Sequence, residues 1–230
     1  MNKAPILYFA PQTCARVTLT ALEEIGEPFE ARLVAFLAGE HRKPEFLKVN
    51  PSGKVPALDT QDGVIVQNGA ILSYLAEKHP EAGLLPVRGD AAGRADVLTQ
   101  LFRCSSDLHP LVTRFVMAPM ISTEADHAPQ VREAARQALE FQLGALEARL
   151  SQQDWMMPEG WSIIDAYLAW IWFRITGVGF AADGFPAIGA HFDRASTRPS
   201  AIAALKREAI AEEELAERGL QFKPPAVTKA

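Results

Sequence analysis

One change of hydrophobic period constrains this chain more than anything else in it. Up to Pro80, short apolar runs alternate with helical stripes; beyond Gly93, every periodic segment steps at three and four residues. Residues 5–9 are short, apolar and aromatic, as a strand is, and residues 16–25 place Val17, Leu19, Ala21, Leu22 and Ile25 on a helical stripe that stops at Gly26. Phe29, Ala31, Leu33 and Ala35 then alternate with Glu30, Arg32 and Val34 after Pro28. Strand, helix and strand in that order form a βαβ unit, so these two strands are expected to be parallel. After a polar stretch at 41–45, residues 56–60 and 64–67 face each other across Asp62-Gly63, a strong hairpin signal. Ile71, Leu72, Leu75 and Ala76 mark a helix ending near Pro80.

Residues 80–93 turn to Pro, Gly and Ala without periodicity, which predicts a linker, set at 81–93. Beyond it Val131, Ala135, Leu139, Leu143, Leu146 and Leu150 recur at helical steps behind Pro129, a residue suited to a first helical turn. Ser162-Ile163-Ile164-Asp165 has the spacing of a capping box and opens residues 166–175, apolar on nearly all sides and so expected at a core. Residues 199–218 make a closing helix charged on one side, and 219–230 carry little pattern and predict a mobile tail. The expected division is 1–80, the linker, an all-helical 94–220 and a tail at 221–230.

Composition narrows the function classes. A net charge of −5 with no dense run of Lys and Arg argues against nucleic acid as a partner. The longest later apolar run, 166–173, falls far short of a bilayer span, and the first residues lack the features of a secretory signal. No membrane association is expected. Cys14 and Cys104 are the two cysteines, far apart, which suits a reducing, cytoplasmic compartment better than a disulfide scaffold. The histidines, at 41, 79, 109, 127 and 191, form no paired motif, so no metal is expected.

Asn50-Pro51-Ser52-Gly53-Lys54-Val55-Pro56-Ala57-Leu58 resembles the loop before the third strand of glutathione transferases, where a cis-proline follows the residue that pairs with the glutathione backbone. Gln67-Asn68-Gly69-Ala70-Ile71 through Tyr74-Leu75 is similar to that family's γ-glutamyl-binding turn and helix, and Ser162 to Asp165 falls where the family keeps its capping box. Ala10-Pro11-Gln12-Thr13-Cys14 and Asp107-Leu108-His109 look most like the bacterial beta class, which has Cys in the first loop and a Leu-His pair in the first long helix. The resemblance implies a thioredoxin-like α/β N-terminal domain plus an all-α helical-bundle C-terminal domain. It also implies a homodimer, with glutathione as co-substrate and no separate cofactor.

Carried over residue by residue, it implies a cis bond at Val55-Pro56 that turns the Val55 N–H and C=O toward the tripeptide; the alternative is a trans proline that starts a strand. Gln67 and Asn68 would present a helix N-terminus to the γ-glutamyl carboxylate, with Asn68 a good N-cap candidate, or Asn68 merely caps and Gln67 is ordinary surface. The family often has an acid and Ser here, so Gln67 can accept from the glutathione amino group without pairing charge with it. Lys54 and His41 are candidates for the glycine carboxylate.

Cys14, just before the first helix, would have its thiolate favoured by the helix dipole, with Arg16 adding positive potential or pointing to solvent. Cys104 reads as a small buried apolar residue. His109 is expected opposite Cys14 as a proton carrier or substrate holder; Pro110, where beta-class proteins often have Lys, offers a helix kink as the competing account. Val112, Phe115 and Met117, with Leu111, would line an apolar second-substrate pocket or else pack a core. Tyr8 is a backup catalyst.

Two chemistries follow. In thiol transfer, Cys14 takes a glutathionyl group from a mixed disulfide and a second glutathione resolves it. In conjugation, Cys14 or Thr13 hydrogen-bonds the glutathione sulfur, which attacks a small apolar electrophile. A non-catalytic ligand-binding or partner-binding protein on the same fold is the rival reading.

Overall fold

The structure, a computed structural model, describes residues 4–221, so the expected tail from 222 on lies outside the described residues. Contacts divide the chain into two compact units. One holds the residues up to Leu84 together with those from Thr197 on; the other is Leu85–Ser196.

In the first unit a four-stranded sheet has the order β2-β1-β3-β4. Strand β1 (Ile6–Phe9) is followed by helix α1 (Ala15–Ile25) and returns as β2 (Glu30–Leu33), parallel to β1 with Leu7 opposite Ala31. Gly26 ends α1 at φ +75, a left-handed turn that glycine adopts without a Cβ penalty. The second strand is shorter than the expected 29–35. Its ladder stops after Leu33 because the Ala35 N–H turns to the Glu40 carboxylate, opening a short 3-10 turn at Phe36–Ala38.

A short helix α2 (Pro44–Leu47) leads to β3 (Ala57–Thr60), antiparallel to β1, and to β4 (Gly63–Val66). Thr60 pairs with Gly63, so the hairpin turns on Gln61-Asp62, one residue earlier than expected. The Thr60 hydroxyl fixes that choice, donating to the Gly63 carbonyl and accepting from the Asp62 N–H. Helix α3 (Asn68–Lys78) closes the motif, and Leu7, Leu19, Leu58, Ile71, Leu72 and Leu75 form its core.

The second unit is helical. Helix α4 (Ala91–Phe102) begins inside the expected linker because Asp90 caps it, accepting from the Gly93 N–H at 2.6 Å. A π-helical stretch, Arg103–Leu108, joins it to α5 (His109–Val116), followed by α6 (Ala118–Ile121), α7 (Ala128–Leu150), α8 (Ile163–Thr176) and α9 (Pro186–Ser196). Helix α8 is buried on most sides, and its capping box forms as the sequence predicts, with Asp165 accepting from the Ser162 N–H at 2.8 Å. Asp165, fully buried, also accepts from the Met156 N–H at 2.7 Å and lies 2.9 Å from His191 Nε2.

Helix α10 (Pro199–Glu217) belongs to the first unit, where the sequence grouped 94–220 together. It packs along α1, and small buried residues on its inner face, Ser200, Ala204 and Ala211, permit the approach. Arg198 pairs with Glu24 at 2.5 Å, Arg207 with Glu23, and Glu208 with Arg16 at 2.5 Å, while Gln12 donates to Glu212 at 2.8 Å. The Arg16–Glu208 pair is almost wholly out of solvent, so losing one partner strands the other's charge. Glu208→Ala is therefore expected to lower the unfolding free energy by about 3 kcal/mol. The double change Arg16→Met with Glu208→Leu should recover most of that, both read from urea denaturation.

Candidate functional site

The site is built around three backbone turns of the first unit. In the first, the Asn50 side chain, buried, donates to the Lys54 carbonyl at 2.6 Å and accepts from the Ser52 N–H and hydroxyl. These bonds hold the loop that presents Val55, whose bond to Pro56 is cis, as the resemblance implies. Gly53 sits at φ +64, and a Cβ there would lie 2.9 Å from the His41 carbonyl oxygen. Glycine thus lets the loop close against the His41 backbone, which brings His41 and Lys54 to one locality.

The second turn joins β4 to α3. Gln67 is exposed and stands at φ +73, a left-handed conformation a side chain rarely adopts, and it forms the N-cap of α3 without a side-chain bond to the helix. Asn68 is not the N-cap expected of it. It is the first residue of the helix, buried, and its amide points inward: Nδ2 donates to the Cys14 carbonyl and Oδ1 accepts from the Thr18 hydroxyl, each at 2.7 Å.

Cys14 occupies the third turn as the N-cap of α1, and its thiol donates to the Val55 carbonyl at 3.8 Å. The expected thiolate is not what the structure favours. Cys14 is 8% exposed, and burial pushes its thiol up to about 12, against a smaller opposing effect from its own backbone. Nor does Arg16 aid ionisation, since its guanidinium is engaged by Glu208. Thr13 spends its hydroxyl locally, donating to the Ala10 carbonyl and accepting from the Ala15 N–H. His41 is held below its ordinary range by burial and then by Arg42, which makes it a neutral donor rather than a cation.

Comparison with known proteins gives matches in both halves of the chain. Residues 5–77 match the family model described as "Glutathione S-transferase, N-terminal domain" and residues 108–199 the one described as "Glutathione S-transferase, C-terminal domain". A sphingomonad glutathione S-transferase solved with glutathione is 35% identical, with a TM-score of 0.77 over 89% of this chain and 99% of that one. A bacterial beta-class glutathione S-transferase from Sphingomonas chungbukensis is 33% identical, with a TM-score of 0.76 over 89% and 99%. Among curated proteins, a maleylacetoacetate isomerase of Pseudomonas aeruginosa is 31% identical over 70% of this chain and 76% of its own.

The chain belongs to the glutathione S-transferase family. It is accordingly a transferase enzyme with the fold the resemblance implied.

In the transferase's helical unit, His109 Nδ1 lies 2.9 Å from the Tyr167 hydroxyl, and the ring packs edge-on against Trp170 at 4.7 Å. Val112 and Phe115 are 2% exposed each, and Phe115 meets Phe180 edge-on beneath the Arg132 guanidinium. These two side chains pack a core and do not line a pocket as expected; Met117, half-buried, caps α5. Tyr8 accepts from Arg32 at 2.9 Å on the wall of a cavity of about 540 Å³ that Lys43 and Phe46 also line. Cys104 is a fully buried thiol whose burial raises it further from ionisation, as an apolar packing residue's would be.

Among the described residues no helix is long and apolar enough to cross a membrane, and no cluster of three or more His, Cys, Asp or Glu could hold a metal ion. Sequence reasoning missed Asn50, Thr18, Glu208 and Glu212. The Asn-Pro-Ser-Gly spacing was a usable signal for the first of these, because Asn side chains close such turns; the other three rest on contacts distant in sequence.

The raised Cys14 thiol has a signed consequence. The unfolded chain releases this proton near 9.0, the fold near 12, so the burial favours the fold fully below the first value and is lost as pH rises toward the second. Alkylation of Cys14 by iodoacetamide, followed by mass spectrometry, should rise about tenfold per pH unit from neutrality and show no plateau below about pH 11.

Proposed function

We propose that this transferase conjugates glutathione to a small apolar electrophile, with the Cys14 thiol acting as a hydrogen-bond donor to the glutathione sulfur. The observation that carries this is the placement of Cys14, 8% exposed with its thiol on the Val55 carbonyl: such an S–H can turn toward a sulfur, whereas a thiol that burial holds against ionisation is a poor attacking group. The tripeptide lies extended along Val55. Its γ-glutamyl carboxylate meets the first N–H groups of α3, which Gln67 leaves without a side-chain cap, and Gln67 itself accepts from the amino group. Lys54 and His41 donate to the glycine carboxylate. The glutathione thiol gives its proton to solvent, its sulfur forms the new bond to carbon, and the leaving group departs with the electron pair.

A homodimer and a cytoplasmic setting complete the reading, and His109 is proposed to orient Tyr167 in the helical unit. The isomerase relative favours one second reading, a glutathione-dependent cis-trans isomerisation, in which the same sulfur adds to a double bond and leaves again. Thiol transfer, with a mixed disulfide as substrate, would require Cys14 to ionise and is disfavoured by its burial.

Two assays separate these readings, conjugation to 1-chloro-2,4-dinitrobenzene and reduction of a mixed glutathione disulfide. Cys14→Ser, which keeps a donor, should retain conjugation within a few-fold, while Cys14→Ala should lose about a hundredfold in kcat. Rapid disulfide reduction by the wild type that Cys14→Ser abolishes would instead establish thiol transfer. Gln67→Ala should raise KM for glutathione about tenfold with kcat little changed, as loss of uniform binding does.

A further inference from the structure

We propose that Asn68 is a positioning residue for Cys14 and that its side chain is not a glutathione ligand. The inference rests on the proposed function and departs from the ligand role that the neighbouring motif suggested.

A side-chain amide carries a fixed set of hydrogen-bonding groups. Asn68 offers one carbonyl oxygen and one NH2 group, and both ends are already used: Oδ1 takes the Thr18 hydroxyl, Nδ2 gives to the Cys14 carbonyl, each at 2.7 Å. Thr18 and Cys14 lie four residues apart on α1, so one amide spans the first turn of that helix. All three residues are buried, Thr18 completely. Swinging the amide out to a carboxylate would leave a buried hydroxyl and a buried carbonyl without this partner, a cost larger than one exposed hydrogen bond returns.

Besides the Val17 N–H bond inside α1, two bonds tie Cys14 to segments distant in sequence, and they are unequal. The thiol reaches the Val55 carbonyl at 3.8 Å, a weak sulfur contact, whereas the Asn68 bond to its carbonyl is short and sulfur-free. Asn68 therefore fixes, through the backbone, where the donating Cys14 sulfur sits. The backbone N–H of Asn68 belongs at the same time to the first turn of α3, where the γ-glutamyl carboxylate is proposed to dock. One residue thus faces the anion with its main chain and holds the reacting turn with its side chain.

The test compares wild type, Asn68→Ala and Thr18→Val, the last removing the hydroxyl that anchors Asn68 from outside the glutathione site. Three quantities are measured: glutathione affinity by calorimetry, Cys14 alkylation by iodoacetamide against pH, and kcat and KM with 1-chloro-2,4-dinitrobenzene. Releasing the turn exposes a thiol that burial alone had kept protonated. Both variants should thus alkylate about tenfold faster at pH 8, with the profile displaced to lower pH. Their kcat should fall about tenfold while glutathione Kd stays within about twofold.

An alkylation profile that is unmoved in the folded variants overturns the proposal, as does a Kd at least tenfold weaker in Asn68→Ala with unchanged alkylation. If Asn68→Ala does not fold, Thr18→Val decides by the same readings. Should wild type bind no glutathione, the function proposed above fails, and the alkylation comparison still decides whether Asn68 holds Cys14.

Discussion

The carbonyl of Cys14 is the point to which the site is tied. It closes the first turn of α1 by accepting from the Val17 N–H and also receives the Asn68 amide from the start of α3. The thiol of the same residue touches the loop that carries the cis Val55-Pro56 bond. Three segments, one 41 and one 54 residues along the chain from Cys14, thus meet on that residue. Each meeting needs a buried polar group with a partner, and that requirement fixes direction in a way apolar packing does not. The sheet beneath supplies the common base, since Leu7 of β1 pairs with both Ala31 and Leu58 and so sets the height of the turns that leave β1 and enter β3.

Two effects compete at the Cys14 sulfur, and their sizes decide the outcome. A helix N-terminus stabilises a negative charge by about 0.3–1 kcal/mol, up to about 2 in partly buried geometry. Displacing the thiol from 9.0 to about 12 corresponds to roughly 4 kcal/mol in the opposite sense. Burial exceeds even the larger of the two helix-terminus figures. A cysteine at a helix start is therefore not by its position a thiolate, and the same position that looks activating in a sequence is a hydrogen-bond donor in the folded chain.

Much of the architecture was legible because it is written in periodicity and punctuation. The stripe that ends at Gly26, the Asp62-Gly63 signal within one residue of the turn, and the Ser162–Asp165 box each depend on neighbours in sequence, and each formed. The cis Val55-Pro56 bond was legible through its motif. What failed was whatever depended on where a side chain ends up. Asn68 satisfied every local rule for an N-cap, but its amide bonds the Thr18 hydroxyl and the Cys14 carbonyl on α1, and Gln67 takes the cap position at a positive φ. Val112 and Phe115 packed a core likewise, because an apolar residue gives the same signal whether it lines an opening or fills a core.

Helix α10 shows the same limit at the scale of an element. Its charges, read along the chain, describe a solvated face, and its place after a series of helices suggests that it joins them. Yet Glu23 and Glu24, adjacent acids at the end of α1, receive Arg207 and Arg198, and Arg16 with Gln12 receives Glu208 and Glu212 one turn apart on α10. Acid on one helix faces base on the other at both ends, in opposite sense. That complementarity exists in the sequence only as two unrelated charge patterns some two hundred residues apart, and nothing local relates them. It decides that the last described helix braces α1 on either side of Cys14. The turn that carries the thiol is thus held by α3 through its carbonyl and by α10 through its two flanking side chains, and residues outside both matched family segments take part in shaping the site.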